Sequence, residues 1–507
     1  MDCNFETREF CIKECILNEE FDLQADNEFR LADYYSPIKR VLNLKIEPAV
    51  TSKNITGNMV NIEGIAGVKL VYLSDNDELC CYEGSFIFAK NIECGDELID
   101  TKIKTTVTAE KVSVKVSGER KFELCGALTL SVKIIKLKKQ RYISHEKIKD
   151  CELKCDSMKM NERIVFGEKS IIIDEEIELA ESYPEVERII NYEGTVLPDE
   201  CKIMNGKVML KGMLSLKIAY LSGEQLKACH VEQKIPYSQV CDLEGVDDKY
   251  ICNTEEQLVF LEVKCRNGGY EEGRTLTVNA KICISAEASL CKDVCIITDM
   301  YSTDRETELS CEDINEAVLI EKTKESFITK KTLRFSEGTV GSVLNLSAAT
   351  CQNGVKVSDG VASIYGTVYV KILLCDTSSQ PQYIERAIDL EYKYSSDNIT
   401  ENSEVIAALR LSNLSYIIID DCTIEVSCEL DVTLSVFNKA SRRIVTGVML
   451  KDSTDKCDDT AIYVCFNECE SDLWSLAKRY KSSVSQISLV NKLENDRASG
   501  VIVIPSK

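Results

Sequence analysis

The residues of this chain that could do chemistry are 25 cysteines, two histidines and 84 acidic side chains. Four cysteine pairs, Cys11/Cys15, Cys151/Cys155, Cys291/Cys295 and Cys465/Cys469, share the spacing C-x-x-x-C. Zinc sites usually combine C-x-x-C with a second such motif or with histidines. Only His145 and His230 are present, so the pattern predicts no metal site. The cysteine count is odd and no secretion route is visible, which argues against a secreted disulfide framework. Two readings remain. Thiols that alternate with apolar residues, as Cys283 does in Lys281-Ile282-Cys283-Ile284, are expected to be small buried hydrophobes. Surface thiols could cross-link in a late oxidising assembly. Catalytic signatures are absent: there is no G-x-x-x-x-G-K-[ST], no H-E-x-x-H and no G-x-S-x-G. Two histidines supply little acid–base capacity near neutrality. A glycosidase-type carboxylate pair cannot be singled out among 84 acids. No catalytic residue and no cofactor is predicted.

The elements that would position any site repeat along the chain. Gly64-Ile65-Ala66-Gly67-Val68-Lys69-Leu70-Val71-Tyr72-Leu73-Ser74 aligns with Gly212–Ser222 and with Gly366–Asp376. The glycine and the lysine five residues on coincide in all three, at spacings of 148 and 154 residues. Around each glycine, alternate residues are apolar: Val60 to Tyr72, Val208 to Tyr220 and Ala362 to Leu374. Period two over thirteen residues predicts a long strand with one buried face, bent or bulged near the glycine. Lys69, Lys217 and Lys371 fall on the opposite face, expected to be solvated. A turn and a further strand follow in each copy, which implies a hairpin. Each copy ends in a second alternating run: 124–134, 276–286 and 424–436. The first two copies open on Pro37-Ile38-Lys39-Arg40 and Pro184-Glu185-Val186-Glu187-Arg188, whereas the third has Gly338-Thr339-Val340-Gly341-Ser342. Many strands with few long helical patterns predict a mainly β protein of three β-sandwich or barrel-like repeat domains.

The last stretch reads differently. Leu473, Leu476, Ala477 and Tyr480 share one face of a two-turn helix, with Ser471 or Asp472 able to cap it. Ser483 and Gln486 form a capping-box pattern for a second helix, with Ile487 and Val490 as its buried stripe. β-Branched runs at 462–464 and 501–504 flank the two, giving strand, helix, helix, strand. So small an α+β unit has a marginal core, and Trp474, the only tryptophan, is expected to carry much of its burial. The expected division is therefore 1–148, 149–290 and 291–450 for the repeats, a polar linker at 451–460, and the terminal unit at 461–507.

This terminal segment resembles a LysM domain through Tyr463-Val464, Leu473-Trp474-Ser475-Leu476-Ala477, Tyr480, Asn491-x-Leu493 and Ile504-Pro505. The resemblance implies a groove between the loop after the first strand and the loop before the last, commonly used for N-acetylglucosamine glycans. The family's Gly-Asp-Thr before Leu-Trp is replaced by Glu470-Ser471-Asp472, which favours a protein ligand over a sugar. Candidate binding residues are Ser471, Asp472, Leu473, Asn491, Leu493 and Asn495; alternatively Leu473 and Leu493 are simply core. The interior resembles the SPOCS domain of clostridial spore coat proteins through the Pro-x-hydrophobic-x-Arg start and the Gly-x4-Lys strand ending in Tyr-Leu-Ser. SPOCS repeats followed by one LysM resemble the SipL-type family of spore coat morphogenetic proteins. That implies a scaffold which binds the coat-building sporulation ATPase through its LysM domain, with other coat proteins as further partners. It places the chain in the mother-cell cytoplasm at the forespore surface and then in the coat. A net charge of −23 argues against nucleic acid and against adsorption on anionic lipid. The N-terminal residues show no signal-peptide pattern, and no apolar run is long enough to span a membrane.

Overall fold

The structure is a computed structural model that describes residues 6–95, 97–144, 151–223, 227–266, 273–378, 380–401, 403–451, 462–493 and 497–505. The same strand plan appears three times. In the first repeat β1 (Thr7–Gln24) and short β2 (Asn27–Arg30) precede a meander, β3 (Ile38–Thr56), β4 (Met59–Ser74) and β5 (Leu79–Glu93), and a hairpin, β6 (Thr101–Gly118) and β7 (Lys121–Ile143), follows. The second repeat runs β8 (Cys151–Glu178), β9 (Arg188–Met204), β10 (Lys207–Ser222), β11 (Lys227–Asp242), β12 (Ile251–Cys265) and β13 (Thr275–Ser302). The third runs β14 (Glu306–Arg334), β15 (Ser342–Ser358), β16 (Val361–Cys375), β17 (Pro381–Ser395), β18 (Ser403–Asp420) and β19 (Thr423–Lys451). In each, the opening strand pairs antiparallel with the last, and the meander forms its own three-stranded sheet. A single rung between β1 and β8 joins the outer sheets of the first two repeats into one of seven strands.

The alternating faces pack as their pattern predicts. Val60, Ile62, Ala66, Val68, Leu70 and Tyr72 of β4 share a core with Phe122, Leu124, Leu128 and Leu130 of β7. β10 meets β13 in the same way, and β16 meets β19. Sheet on sheet with inward alternation is a sandwich. Cys428 sits in such a core, as a small hydrophobe does. Cys283 does not: Ile282 and Ile284 point inward, so period two turns Cys283 outward to Ser170.

Two bulges recur at matching positions in all three meanders. One lies at Thr51, Asp199 and Asn353, opposite Gly64, Gly212 and Gly366. There the facing strand and its side chains press so close that a Cβ on Gly64 would lie 2.1 Å from Phe88 Cζ and 2.5 Å from the Ala49 carbonyl oxygen. The other bulge is at Leu42, Ile190 and Leu344. An extra residue re-aims side chains, and here the three apolar residues turn to one point. Val71, Leu79, Ile190, Leu221, Leu344 and Leu373 form a cluster with Leu42, so all three meanders meet around a pseudo-threefold axis.

The meanders also abut edge to edge, which covers their open strands. Arg188 donates to the Leu79 carbonyl at 2.6 Å, and Arg40 donates to the Pro381 carbonyl at 3.1 Å. The arginine of the opening motif thus ties one repeat to the edge of another. Ser342 occupies the matching place in the third repeat, and there the His230 side chain meets the Val343 backbone instead. Tyr72 and Tyr220 reach back to the carbonyls of Ser36 and Pro184, pinning the start of the motif; Leu374 replaces them in the third repeat. Removing a charged donor to a partly buried carbonyl costs about 1.5–3 kcal/mol. Arg188→Ala should lower the denaturant midpoint accordingly without changing the far-ultraviolet spectrum.

The repeated lysines correct the expectation of a solvated face. All three are partly buried at the junctions between repeats, because the sheet face opposite the sandwich core is covered by neighbouring meanders. Lys69 lies 3.0 Å from Glu47 and 3.4 Å from the centroid of the Tyr192 ring. Lys45 bridges Glu47 at 2.8 Å and Glu193 at 2.9 Å. Burial works against the Lys45 ammonium, but Glu193 and Glu47 outweigh it and hold its pKa above the usual value. Lys217 pairs with Glu232 at 3.0 Å and reaches Asn413 of the third repeat. Lys371 lines a cavity of about 20 Å³ on the axis with Asn43, Asn191 and Asn345. A space that size holds one water-sized particle and no substrate.

At the far end, β1–β7, β8–β13 and β14–β19 continue as long ribbons. Phe10, Tyr142, Met158, Met160, Ile296, Ile314 and Ile444 bring all three together. The ribbon end of β13 is what holds the terminal unit.

Candidate functional site

The terminal unit has the predicted order: β20 (Ile462–Asp472), α1 (Leu473–Arg479), α2 (Val484–Asn491) and β21 (Arg497–Pro505). β20 and β21 pair antiparallel. Leu473, Leu476, Ala477, Ile487, Ile502 and Ile504 form the core, with Tyr463, Tyr480 and Leu493 packed on it. Asp472 occupies the N-cap of α1 and Ser483 that of α2, but neither side chain makes a capping hydrogen bond. The Ser483 hydroxyl turns to Ser485 at 2.8 Å, so the capping box does not form. Val490 is exposed rather than buried. The inward face of α2 is Val484, Ile487 and Asn491, and Val490 lies one residue, about 100°, from that line.

Among the candidate binding residues, Asp472 is exposed, accepts the Ser475 hydroxyl at 3.2 Å and lies 3.9 Å from Lys154. Leu473 is buried in the core and Leu493 is partly buried against it. Asn491 ties α2 to the sheet: its amide donates to the Ile487 and Val503 carbonyls at 2.8 and 2.6 Å and accepts from the Val503 N–H at 2.8 Å. The side chain of Ser471 and all of Asn495 lie outside the described residues, as does the stretch expected as the linker, beyond Lys451.

Trp474 has a role that burial reasoning missed. It is only partly buried, and it bridges to β13 rather than filling the middle of its own unit. Its ring stands edge-on to Tyr301 at 5.0 Å, and its indole N–H donates to Asp299 at 2.8 Å. Lys478 donates to the other Asp299 oxygen at 2.5 Å. The buried Tyr301 hydroxyl donates to the Ser482 carbonyl at 2.6 Å. No local signal marks Asp299 or Tyr301, because their partners lie about 180 residues away in sequence.

Burial alone would raise the Asp299 carboxyl; the Lys478 and Trp474 donors outweigh it and hold the pKa below its ordinary 3.8. A depressed carboxylate pKa stabilises the docked state above the ordinary value, and that support is lost as pH falls through the lowered one. The single tryptophan reports on it directly: Trp474 fluorescence should change below about pH 4, and Asp299→Asn should remove that transition.

On the outer side of the sheet, Ile462, Val464, Phe466 and Val501 are all more than half exposed. Period two along β20 places the first three in one stripe, and Val501 pairs with Phe466. Among the described residues Asp420, Asp421 and Cys422 are close enough to share an ion, but they work as turn caps: Asp420 accepts the Cys422 N–H and Asp421 accepts the Gly338 N–H.

What this geometry defines is a repeat-built β protein with a small βααβ module docked on one ribbon end. Residues 37–117 and 185–266 match the family model described as SipL, SPOCS domain. These are the first and second meanders together with the strand that follows each, so the chain carries two segments of the SPOCS domain family. Both hold the arginine tie and the tyrosine that pins the motif. No curated protein matches the chain. Among solved structures, a similarity to Acinetobacter baumannii OccAB3 covers 84% of this chain and 99% of that one at 6% identity and a TM-score of 0.12, which carries no argument about fold or function. No helix among the described residues is long and apolar enough to cross a membrane.

Proposed function

We propose that this protein is a non-enzymatic spore coat morphogenetic scaffold. In this reading it binds the coat-building sporulation ATPase through its terminal LysM-like unit, at the forespore surface in the mother cell, and remains in the coat. The observation that carries the reading is the SPOCS match over two of three like-built repeats. Two further features support it. A platform of three repeats in mutual contact presents the terminal unit through a specific dock, as a scaffold needs. The exposed stripe of Ile462, Val464, Phe466 and Val501 suits a protein partner better than a sugar, because apolar patches on a soluble surface mark interaction sites. Ser471, Asp472, Leu473, Asn491, Leu493 and Asn495 remain the proposed loop site, with Asp472 the exposed polar member among the described residues. Domain limits at 148 and 450 and the linker to 460 belong to the same reading, whereas the limit expected at 290 falls inside β13, which carries the second repeat on to Ser302.

The alternative is a wall or cortex protein that holds peptidoglycan. A co-sedimentation and pull-down pair separates them. The full chain should retain the purified ATPase and stay in the supernatant over purified peptidoglycan. Phe466→Asp should weaken ATPase capture at least about tenfold, as loss of an interface aromatic does, with unchanged circular dichroism. Capture of peptidoglycan without the ATPase would reverse the assignment.

A further inference from the structure

A cleft between the first and second repeats carries unmet hydrogen-bonding capacity of one kind. Lys102 of β6 is a lysine in the interior, its side chain 5% exposed. Its nearest carboxylate oxygen, on Glu287, is 3.7 Å away, beyond hydrogen-bonding distance. Glu287 is already engaged by Lys13. On another side the Lys102 ammonium faces the Phe166 ring, 5.2 Å from its centroid. Among the described residues, then, this buried cation shares one carboxylate with a second lysine and donates no hydrogen bond. Ser285 of β13 is the second oddity, since its hydroxyl is buried with no partner. A buried donor left unmatched is costly, and native structures rarely keep one without a reason.

Both groups line the same pocket of about 180 Å³. Its walls Lys53, Lys102, Ile103, Glu168 and Ser285 also line a larger cleft of about 570 Å³. Three other lysines around it have carboxylate partners. Lys53 pairs with Glu168 at 2.8 Å, Lys104 pairs with Glu255, and Lys169 lies 3.8 Å from Asp242. Glu256 accepts the Tyr237 hydroxyl. What is left without a close acceptor is the Lys102 ammonium and the Ser285 hydroxyl, the donor pair that an oxyanion needs. The outer wall, with Ser52, Thr105, Thr106 and Gln257, offers hydroxyls and an amide beside the apolar side chains of Val50, Val259 and Ile284.

We propose that this cleft binds a small hydroxyl-bearing acid, its oxyanion at Lys102 and Ser285 and its hydroxyl-bearing body along the outer wall. The inference is independent of the coat reading. Because the cleft is formed by β3, β6, β8, β12 and β13, the ligand would bridge the two repeats and stiffen their junction.

The test is calorimetry and thermal unfolding of the full chain with four probes: glucose 6-phosphate, glucuronate, inorganic phosphate and glucose. At least one charged sugar should bind saturably and raise the unfolding temperature, whereas glucose should not. Which charged sugar binds assigns the oxyanion as phosphate or carboxylate. Lys102→Met should weaken binding at least about tenfold, the loss expected for a charged hydrogen bond. Ser285→Ala should weaken it less and serves as the second variant should Lys102→Met fail to fold. The proposal is overturned if no charged probe binds, if glucose binds as well as the charged sugars, or if both variants bind like the parent. Inorganic phosphate binding as tightly as either charged sugar would likewise overturn the hydroxyl-bearing body.

Discussion

Tyr301→Ala should detach the terminal unit while leaving the three sandwiches folded. Tyr301 is 3% exposed although it belongs to β13, because the core it fills is that of the βααβ unit. Truncating a buried aromatic costs about 3–5 kcal/mol, and here the loss also strips the Ser482 carbonyl of its donor and Trp474 of its edge-on partner. A two-helix, two-strand unit cannot absorb that from its own small core. The expected result is rapid proteolytic release of the C-terminal fragment, a red-shifted Trp474 emission, and an unchanged main unfolding transition. Tyr301→Phe keeps the ring and should cost only about 1 kcal/mol, the usual worth of one hydrogen bond. If Tyr301→Ala leaves proteolysis and emission unaltered, the dock contributes nothing. The variant also bears on function: ATPase capture that survives detachment would assign the grip to the unit alone, and its loss would assign it to the docked pair.

Gly64→Ala should destabilise the first repeat by about 3 kcal/mol, the upper range for overpacking a well-filled site. The new methyl group would meet the Phe88 ring at 2.1 Å, but its harder neighbour is the Ala49 carbonyl at 2.5 Å, which is backbone and held by the bulge. The three matching glycines should rank. Gly212 has Tyr237 Oη at 2.3 Å and the Leu197 carbonyl at 2.7 Å, and Gly366 has the Leu409 side chain at 2.8 Å and the Cys351 carbonyl at 3.0 Å. The order of cost should follow Gly64, Gly212, Gly366, read as shifts in denaturant midpoint. Gly354→Ala is the control, since nothing lies within 4 Å of its Cβ position. A Gly64→Ala midpoint equal to that of the control would mean the bulge yields freely.

The glycines show how far local pattern reaches. Alternation around Gly64, Gly212 and Gly366 located the three buried strands, because a side-chain period of two is a property of the strand itself. It also implied a bulge nearby, and one lies opposite each glycine. The order of the terminal unit was likewise legible, since helix faces and β-branched runs are written in a few consecutive residues. Of the loop residues singled out there, Leu473 lies in the core and Asn491 bridges helix and sheet, roles that only contacts across the unit reveal.

What the sequence by itself determined is therefore the repeated β plan, its buried faces and the βααβ order at the end. Tertiary structure alone decided what covers the other faces. Lys69 looks solvated along its strand, yet Glu47 and Tyr192 enclose it once a second repeat closes over the sheet. Trp474 looks like the centre of a small core, yet Asp299 and Tyr301 draw it to a distant ribbon. Lys102 and Ser285 become neighbours of one pocket only when two repeats meet. The reason is the same in each case. A strand's pattern records which side is apolar, whereas the partner of its polar side comes from segments a hundred or more residues away and leaves no periodic trace.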